Sequence, residues 1–210
     1  MSPLPAAWRC GGVAVAVVPY GTAWARLPGL LGWTGAIVLG RSDRGKPLVA
    51  EPAGAACSVA HRAGHSLVAA GWIGAVGADL EVVRDDLPLG EIAETCFSRS
   101  EADWLRGVPD GVRALGFTLV WAVKEAVLKA SGQGIAAGLA APAVPVDALA
   151  PLLAGAPCLE LVLAGLDCVQ LRQGVLRGVL GSVHAVACVA AASPASEPRA
   201  TAESRPLPER

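Results

Sequence analysis

"WAVKEAVLKASGQG", residues 121–134, sets three charges, Lys124, Glu125 and Lys129, into an otherwise apolar run. Read as a helix turning 100° per residue, the three fall within an arc of about 140°, the width of one face. Trp121 shares that arc, so the face is not a stripe of small solvated side chains. Two readings compete: a buried helix with one wet edge, or a helix that carries a site.

Upstream, "GADLEVV" (77–83) has the alternation of a strand, which puts Asp79 and Glu81 on one face and Leu80 and Val82 on the other. Two like charges at neighbouring positions repel, and a surface that keeps both ionised needs a cation. A mostly apolar helix must pack on a sheet, so Glu125 can join them as a third carboxylate. Three oxygen ligands from two elements suit a hard cation such as Mg2+, which favours carboxylates together with substrate phosphates. Lys124, Lys129 and basic residues upstream then gain a purpose as phosphate partners. His61, which follows "CSVA", is a further phosphate donor, whereas His65 and His184 have no partner to suggest a role.

Composition limits the alternatives. A chain of 210 residues with 53% hydrophobic residues has a real core and fits one ordinary domain or two small ones. The formal net charge of -1 argues against non-specific nucleic-acid binding, although Arg41, Arg44 and Lys46 form a short basic cluster. The six cysteines, at 10, 57, 96, 158, 168 and 188, make no C-x-x-C and read as free, mostly buried thiols of a cytoplasmic protein. The apolar "GGVAVAVV" near the start alternates like a strand and is short for a secretory signal. Charges interrupt every apolar run before it reaches the roughly 18 residues of a membrane span.

Along the chain, 13–18 and 36–39 read as short strands and 40–47 as a polar turn. Residues 58–83 read as strands and turns in succession, 91–112 as a helix pair capped by Ser98 or Ser100, and 113–131 as the long helix. "CLELVLAG" (158–165) and "SVHAVACVAAA" (182–192) are strand-like, and residues 193–210 have the composition of a disordered tail. Each half ends on an apolar strand after a helix-bearing segment, which suggests two similar α+β halves, 1–93 and 94–192.

Five motifs in order, "GKP" (45–47), "SVAH" (58–61), "GADLE" (77–81), "FSRSEADWL" (97–105) and "FTLVWAVKEAVLKASGQGI" (117–135), make the chain resemble the 4′-phosphopantetheinyl transferase superfamily. The similarity is to its larger monomeric class, which serves non-ribosomal peptide and polyketide synthases, and covers roughly residues 45–190. The resemblance implies an α+β fold of two subdomains related by a pseudo-two-fold, with coenzyme A in the cleft between them. It implies Asp79, Glu81 and Glu125 as Mg2+ ligands on the coenzyme A pyrophosphate and Lys46, His61 and Lys129 as phosphate contacts. It also carries over Lys124 as a charge near the reacting phosphate. Where the family has Ser before the histidine this chain has Ala60, so Ser58 is left to supply that hydroxyl. The basic residues expected ahead of "GKP" fall on Arg26, Arg41 or Arg44, of which Arg41 is taken as the coenzyme A contact.

The activity implied is transfer of the 4′-phosphopantetheine arm of coenzyme A to a serine of an apo acyl or peptidyl carrier domain, with release of adenosine 3′,5′-bisphosphate. Glu125 is the expected base, with Lys129 and Lys124 as catalytic charges, in a monomer that needs neither membrane nor nucleic acid. An S-adenosylmethionine or nucleotide reading of "GWIGAVGADLE" fails because its glycines do not open a helix. The alternative that stays open is a degenerate coenzyme A or carrier-binding module without turnover.

Overall fold

Valine and alanine alternate in 13–17 and recur in the other strands of the first 71 residues, and turns fall where glycine can take a positive φ, as at Gly11 and Gly64. The computed structural model describes residues 1–134, 138–178 and 181–193. Its first sheet is antiparallel, in the order β1-β2-β6-β5, from β1 (Ala7–Cys10), β2 (Val13–Pro19), β5 (Ala56–Arg62) and β6 (His65–Gly71). β3 (Val38–Arg41) and β4 (Pro47–Glu51) form a separate hairpin. Between β2 and β3 lies α1 (Ala23–Leu31), a helix that the sequence reading did not place, because Pro28 interrupts the segment and no acidic residue marks its first turn. It forms because Ala23, Leu27 and Leu31 bury one stripe against Ala16, Val18, Val68 and Ala70.

The second sheet runs β7-β10-β9-β8, from β7 (Ala75–Val82), β8 (Cys158–Leu161), β9 (Cys168–Gly178) and β10 (Gly181–Ala192), again antiparallel. Thus β7 precedes the 93/94 division drawn from the sequence, yet bonds into the sheet of the C-terminal strands. Between β7 and β8 come α2 (Leu89–Cys96), α3 (Arg99–Gly107), α4 (Asp110–Ser131), a 3-10 turn (Val146–Leu149) and the single turn α5 (Ala150–Leu153). Of the two candidate caps for α3, Ser98 is the one used: its hydroxyl accepts from Glu101 N while the Glu101 carboxylate accepts from Ser98 N.

The layers follow from which faces are apolar. α4 lays Leu119, Val120, Val123 and Ala126 on Val169, Leu171, Val186 and Cys188 of the second sheet. The other face of that sheet, Val76, Ala78, Leu80, Ala185, Ala187 and Val189, meets Val13, Val15, Leu67 and Ala69 of the first. The order is α1, first sheet, second sheet, α4, an α+β fold. Small side chains keep the sheets close enough for Ala78 N on β7 to donate to Ser58 Oγ on β5 at 2.9 Å.

Two of the six cysteines are not free thiols as expected. Cys10 at the end of β1 and Cys168 at the start of β9 are joined in a disulfide spanning 158 residues of sequence, a pairing that no spacing rule could supply. The same seam is tied without it: Leu4 N donates to Val175 O at 3.1 Å, Val175 N donates to Ser2 O at 3.0 Å, and Arg172 lies over the Trp8 ring. Cys57 and Cys188 are free and buried, Cys96 is half-buried and Cys158 is exposed. Among the described residues no helix is long and apolar enough to cross a membrane. The expected tail, 193–210, lies outside the described residues except for Ser193, whose N and Oγ donate to Asp167 Oδ2.

The tightest approach in the fold is at Gly77, where a Cβ would stand 1.8 Å from Ala126 O and 2.4 Å from Ala130 N of α4. Gly77→Ala is expected to cost more than about 3 kcal/mol or to prevent folding, because the obstruction is backbone. Gly90→Ala, on the exposed side of α2 with nothing within 4 Å, should leave stability unchanged or raise it by up to about 1 kcal/mol. Thermal unfolding of the two variants checks this; an undiminished Gly77→Ala protein would overturn the close-contact account.

Candidate active site on β7 and α4

The alternation that buries Val76, Ala78 and Leu80 between the sheets turns Gly77, Asp79 and Glu81 towards α4. Gly77 lets the helix backbone come close, and the next residue on that face, Asp79, then meets Lys129. Lys129 Nζ donates to Asp79 Oδ1 at 2.6 Å and stands 4.0 Å from Glu125 Oε2, one turn back on its own helix. Glu81, at the end of the strand, is gripped by the fork of Arg62 at the end of β5: Nε donates to Oε2 at 2.8 Å and Nη2 to Oε1. Three carboxylates thus face two cations. Asp79, 3% exposed, keeps one buried oxygen, Oδ2, without any hydrogen-bond partner.

That imbalance shows in the protonation energies. Burial pushes the Asp79 carboxyl up to about 6, against the pull of Lys129, and the charges of Glu81 and Glu125 push it further up. Burial also raises Glu125, again opposed by Lys129 and reinforced by Glu81. The three acids therefore share one electrostatic neighbourhood. Among the described residues, however, no set of three His, Cys, Asp or Glu side chains is gathered as metal ligands would be. Lys129 stands between Asp79 and Glu125, and Arg62 holds Glu81.

Beside the acids, Arg44, Lys46, Ser58, Lys129, Gly132 and Gly134 line a hollow of about 220 Å³. Lys46 Nζ donates to Ala130 O at 2.6 Å, where the carbonyls of the α4 C-terminus offer partial negative charge. Burial holds its pKa below the usual lysine value. Ser58 enters the same hollow, with its oxygen accepting from Ala78 N. His61, the last residue but one of β5, is exposed; its Nδ1 faces the hydroxyl of the buried Ser66 at 2.8 Å and its ring stands edge-to-face with that of Tyr20. Arg41 lies apart from that hollow: its Nη1 donates to Gly45 O at 2.9 Å, and it lines a different one with Trp24, Leu39 and Pro47. Arg44 is the arginine that lines the Lys46 hollow, with Nη1 donating to Gln133 O at 3.3 Å.

Lys124 also lies apart from the acids of β7. The single 100° step from Glu125 turns it away from β7, and its side chain is 0% exposed. Nζ lies 2.8 Å from Glu101 Oε2 and donates to Pro142 O at 2.8 Å, while Glu101 Oε1 accepts from Val144 N at 2.7 Å. The pair staples the start of α3 and the segment 140–144 onto α4, and it leaves no charge for a phosphate. Arg62 and Glu101 were not among the residues singled out from the sequence, Gly77 was read only as part of "GADLE", and Arg44 was named as an alternative to Arg41. Glu101 was within reach, as the N3 acid of the S-x-x-E box; Arg62 had no signal beyond following His61.

Residues 75–160 match the family model of the 4′-phosphopantetheinyl transferase superfamily. The chain is 34% identical over 97 residues to the 4′-phosphopantetheinyl transferase HetI of Nostoc sp. (strain PCC 7120), which covers 45% of this chain and 41% of the relative. It is 32% identical over 82 residues to slr0495 of Synechocystis sp. (strain PCC 6803), to which the same activity is ascribed, covering 39% of this chain and 33% of the relative. The chain thus spans less than half the length of these curated relatives. The matched segment begins with β7 and contains all of α4.

Asp79 binds its proton more tightly folded than unfolded, so it favours the folded state fully below about 3.8 and loses that contribution as pH rises towards about 6. Asp79→Asn keeps an oxygen for Lys129 without the buried charge. Without divalent metal, its thermal stability relative to the parent should therefore climb between pH 4 and 6 and stay higher at pH 8; a pH-independent difference would contradict this. Lys124→Ala should lose about 3–5 kcal/mol, since it strands the Glu101 charge, and urea unfolding of the variant beside the parent checks this.

Proposed function

We propose that this chain, whose residues 75–160 match the family model of the 4′-phosphopantetheinyl transferase superfamily, moves the phosphopantetheine arm of coenzyme A to a serine hydroxyl of an apo acyl or peptidyl carrier domain. The observation that carries this reading is the row of acids with one stranded oxygen, Asp79 Oδ2, beside a hollow lined by Arg44, Lys46 and Lys129. An unpartnered buried carboxylate oxygen suits a cation, and the basic hollow suits phosphates. Asp79, Glu81 and Glu125 fit Mg2+, an all-oxygen, carboxylate-rich donor set. When bound, the ion would supply charge neutralisation between the acids and the pyrophosphate.

The remaining roles belong to the chain's own residues. Glu125, its affinity for protons raised by burial, takes the serine proton as the serine oxygen bonds to the phosphorus of the arm. The bond from that phosphorus to the bridging oxygen breaks, and adenosine 3′,5′-bisphosphate leaves. Lys129, already between Asp79 and Glu125, stabilises the negative charge of the leaving phosphate. Arg44, Lys46 and Ser58 hold the phosphates, with Arg44 in the place first given to Arg41, whereas His61 faces Ser66 and Tyr20 and does not line that hollow. The protein acts as a cytoplasmic monomer, where thiol pools would keep Cys10 and Cys168 reduced; the hydrogen bonds of Ser2 and Leu4 to Val175 hold the seam in that case.

The test is an intact-mass assay with coenzyme A, Mg2+ and apo carriers of the peptide, polyketide and fatty-acid classes. At least one carrier should gain the arm. Chelation should abolish the gain, as should Asp79→Ala or Glu125→Ala in protein that remains folded by circular dichroism. Coenzyme A binding without transfer to any carrier would replace the enzyme with a docking module.

A further inference from the structure

Arg62 has no part in the transfer described so far, yet it makes the best-formed ion pair at the site. Its fork engages both oxygens of Glu81, and its side chain is 49% exposed while that of Glu81 is 14%. It sits where β5 ends in the Ala63–Gly64 turn, with Ala63 at φ 50 and Gly64 at φ 75. The alternation of β5 puts Ser58, Ala60 and Arg62 on the face that meets β7, with Ser58 in the basic hollow at one end and Arg62 beside the acids at the other. Ala60, between them, presents no side chain beyond its methyl group.

This row has two incompatible demands on Glu81. A cation held by the acids needs the Glu81 oxygens, and both are engaged by the guanidinium. Three carboxylates facing Arg62 and Lys129 carry one negative charge in excess, which the arrival of a divalent cation reverses. A half-exposed arginine on a turn gives up an ion pair at small cost. Its planar fork matches two oxygens of a phosphate as well as it matches a carboxylate.

We infer that Arg62 is an exchangeable counter-ion: it occupies Glu81 while no metal is bound, and moves to an oxygen pair of the substrate pyrophosphate when a divalent cation claims that carboxylate. The inference rests on reading Asp79, Glu81 and Glu125 as metal ligands. It gives the chain a residue that opposes metal binding alone and favours metal and pyrophosphate together.

The experiment titrates Mn2+ by electron paramagnetic resonance, with and without inorganic pyrophosphate, against the parent, Arg62→Gln and Arg62→Lys. With Mn2+ alone, Arg62→Gln should bind roughly five-fold more tightly than the parent, the release of a good half-exposed pair. With pyrophosphate present, Arg62→Gln should bind the Mn2+–pyrophosphate complex more weakly than the parent does. Arg62→Lys, which keeps the charge without the fork, should stay close to the parent for Mn2+ alone and fall below it with pyrophosphate. A merely structural arginine would weaken both or neither; either result overturns the inference. No carrier is involved, so parent protein that transfers the arm while Arg62→Gln leaves Mn2+ affinity unchanged sinks this inference alone. Parent protein that binds no Mn2+ and transfers nothing removes both readings.

Discussion

The backbone of α4 rests directly on β7 at Gly77, and the candidate site is a consequence of that contact. With the helix this close, the next two residues on the same strand face, Asp79 and Glu81, are carried past the side of α4 that bears Glu125 and Lys129. The glycine and two acids of the G-x-D-x-E pattern are therefore one geometric device. The period of two along the strand and the four-residue turn of the helix supply the rest of the spacing.

Two adjacent charged residues of α4 illustrate how surroundings divide buried charges into different jobs. Lys124 has a fixed carboxylate and backbone carbonyls around it, so its charge is compensated and its role is to hold segments together. Glu125 lies among charges that are incompletely matched: burial raises its proton affinity, Lys129 opposes this and Glu81 adds to it. A matched buried pair is inert, whereas an unmatched cluster retains a demand that a ligand can satisfy.

What the sequence made legible was local periodicity. The shared face of Asp79 and Glu81, the long helix and the inner strands β2 and β10 could all be read from it. Periodicity does not say which side of a charged arc meets which neighbour, so it could not separate Lys124 from Glu125. β9 was missed because Gln170, Arg172 and Gln173 spoil its apolar alternation. Distant groups complete their bonding: Glu160 accepts from Gln170, and the carbonyls of Leu152 and Ala156 accept from Gln173, while Arg172 also donates to Gln170 within the strand. Likewise Arg62 and Glu81 meet only because two sheets stack.

The position of β7 also orders the making of the molecule in time. Every strand of the first sheet finds its partners between residues 7 and 71, so that sheet can close early on a growing chain. β7 follows at once, but the strand it bonds to is β10, in a register from Ala75 opposite Ala192 to Val82 opposite Ala185. During synthesis the strand that bears Asp79 and Glu81 must wait, unpaired, for more than half the chain to be translated. Its two acids guard that wait, since charge on an open edge discourages pairing with the wrong strand.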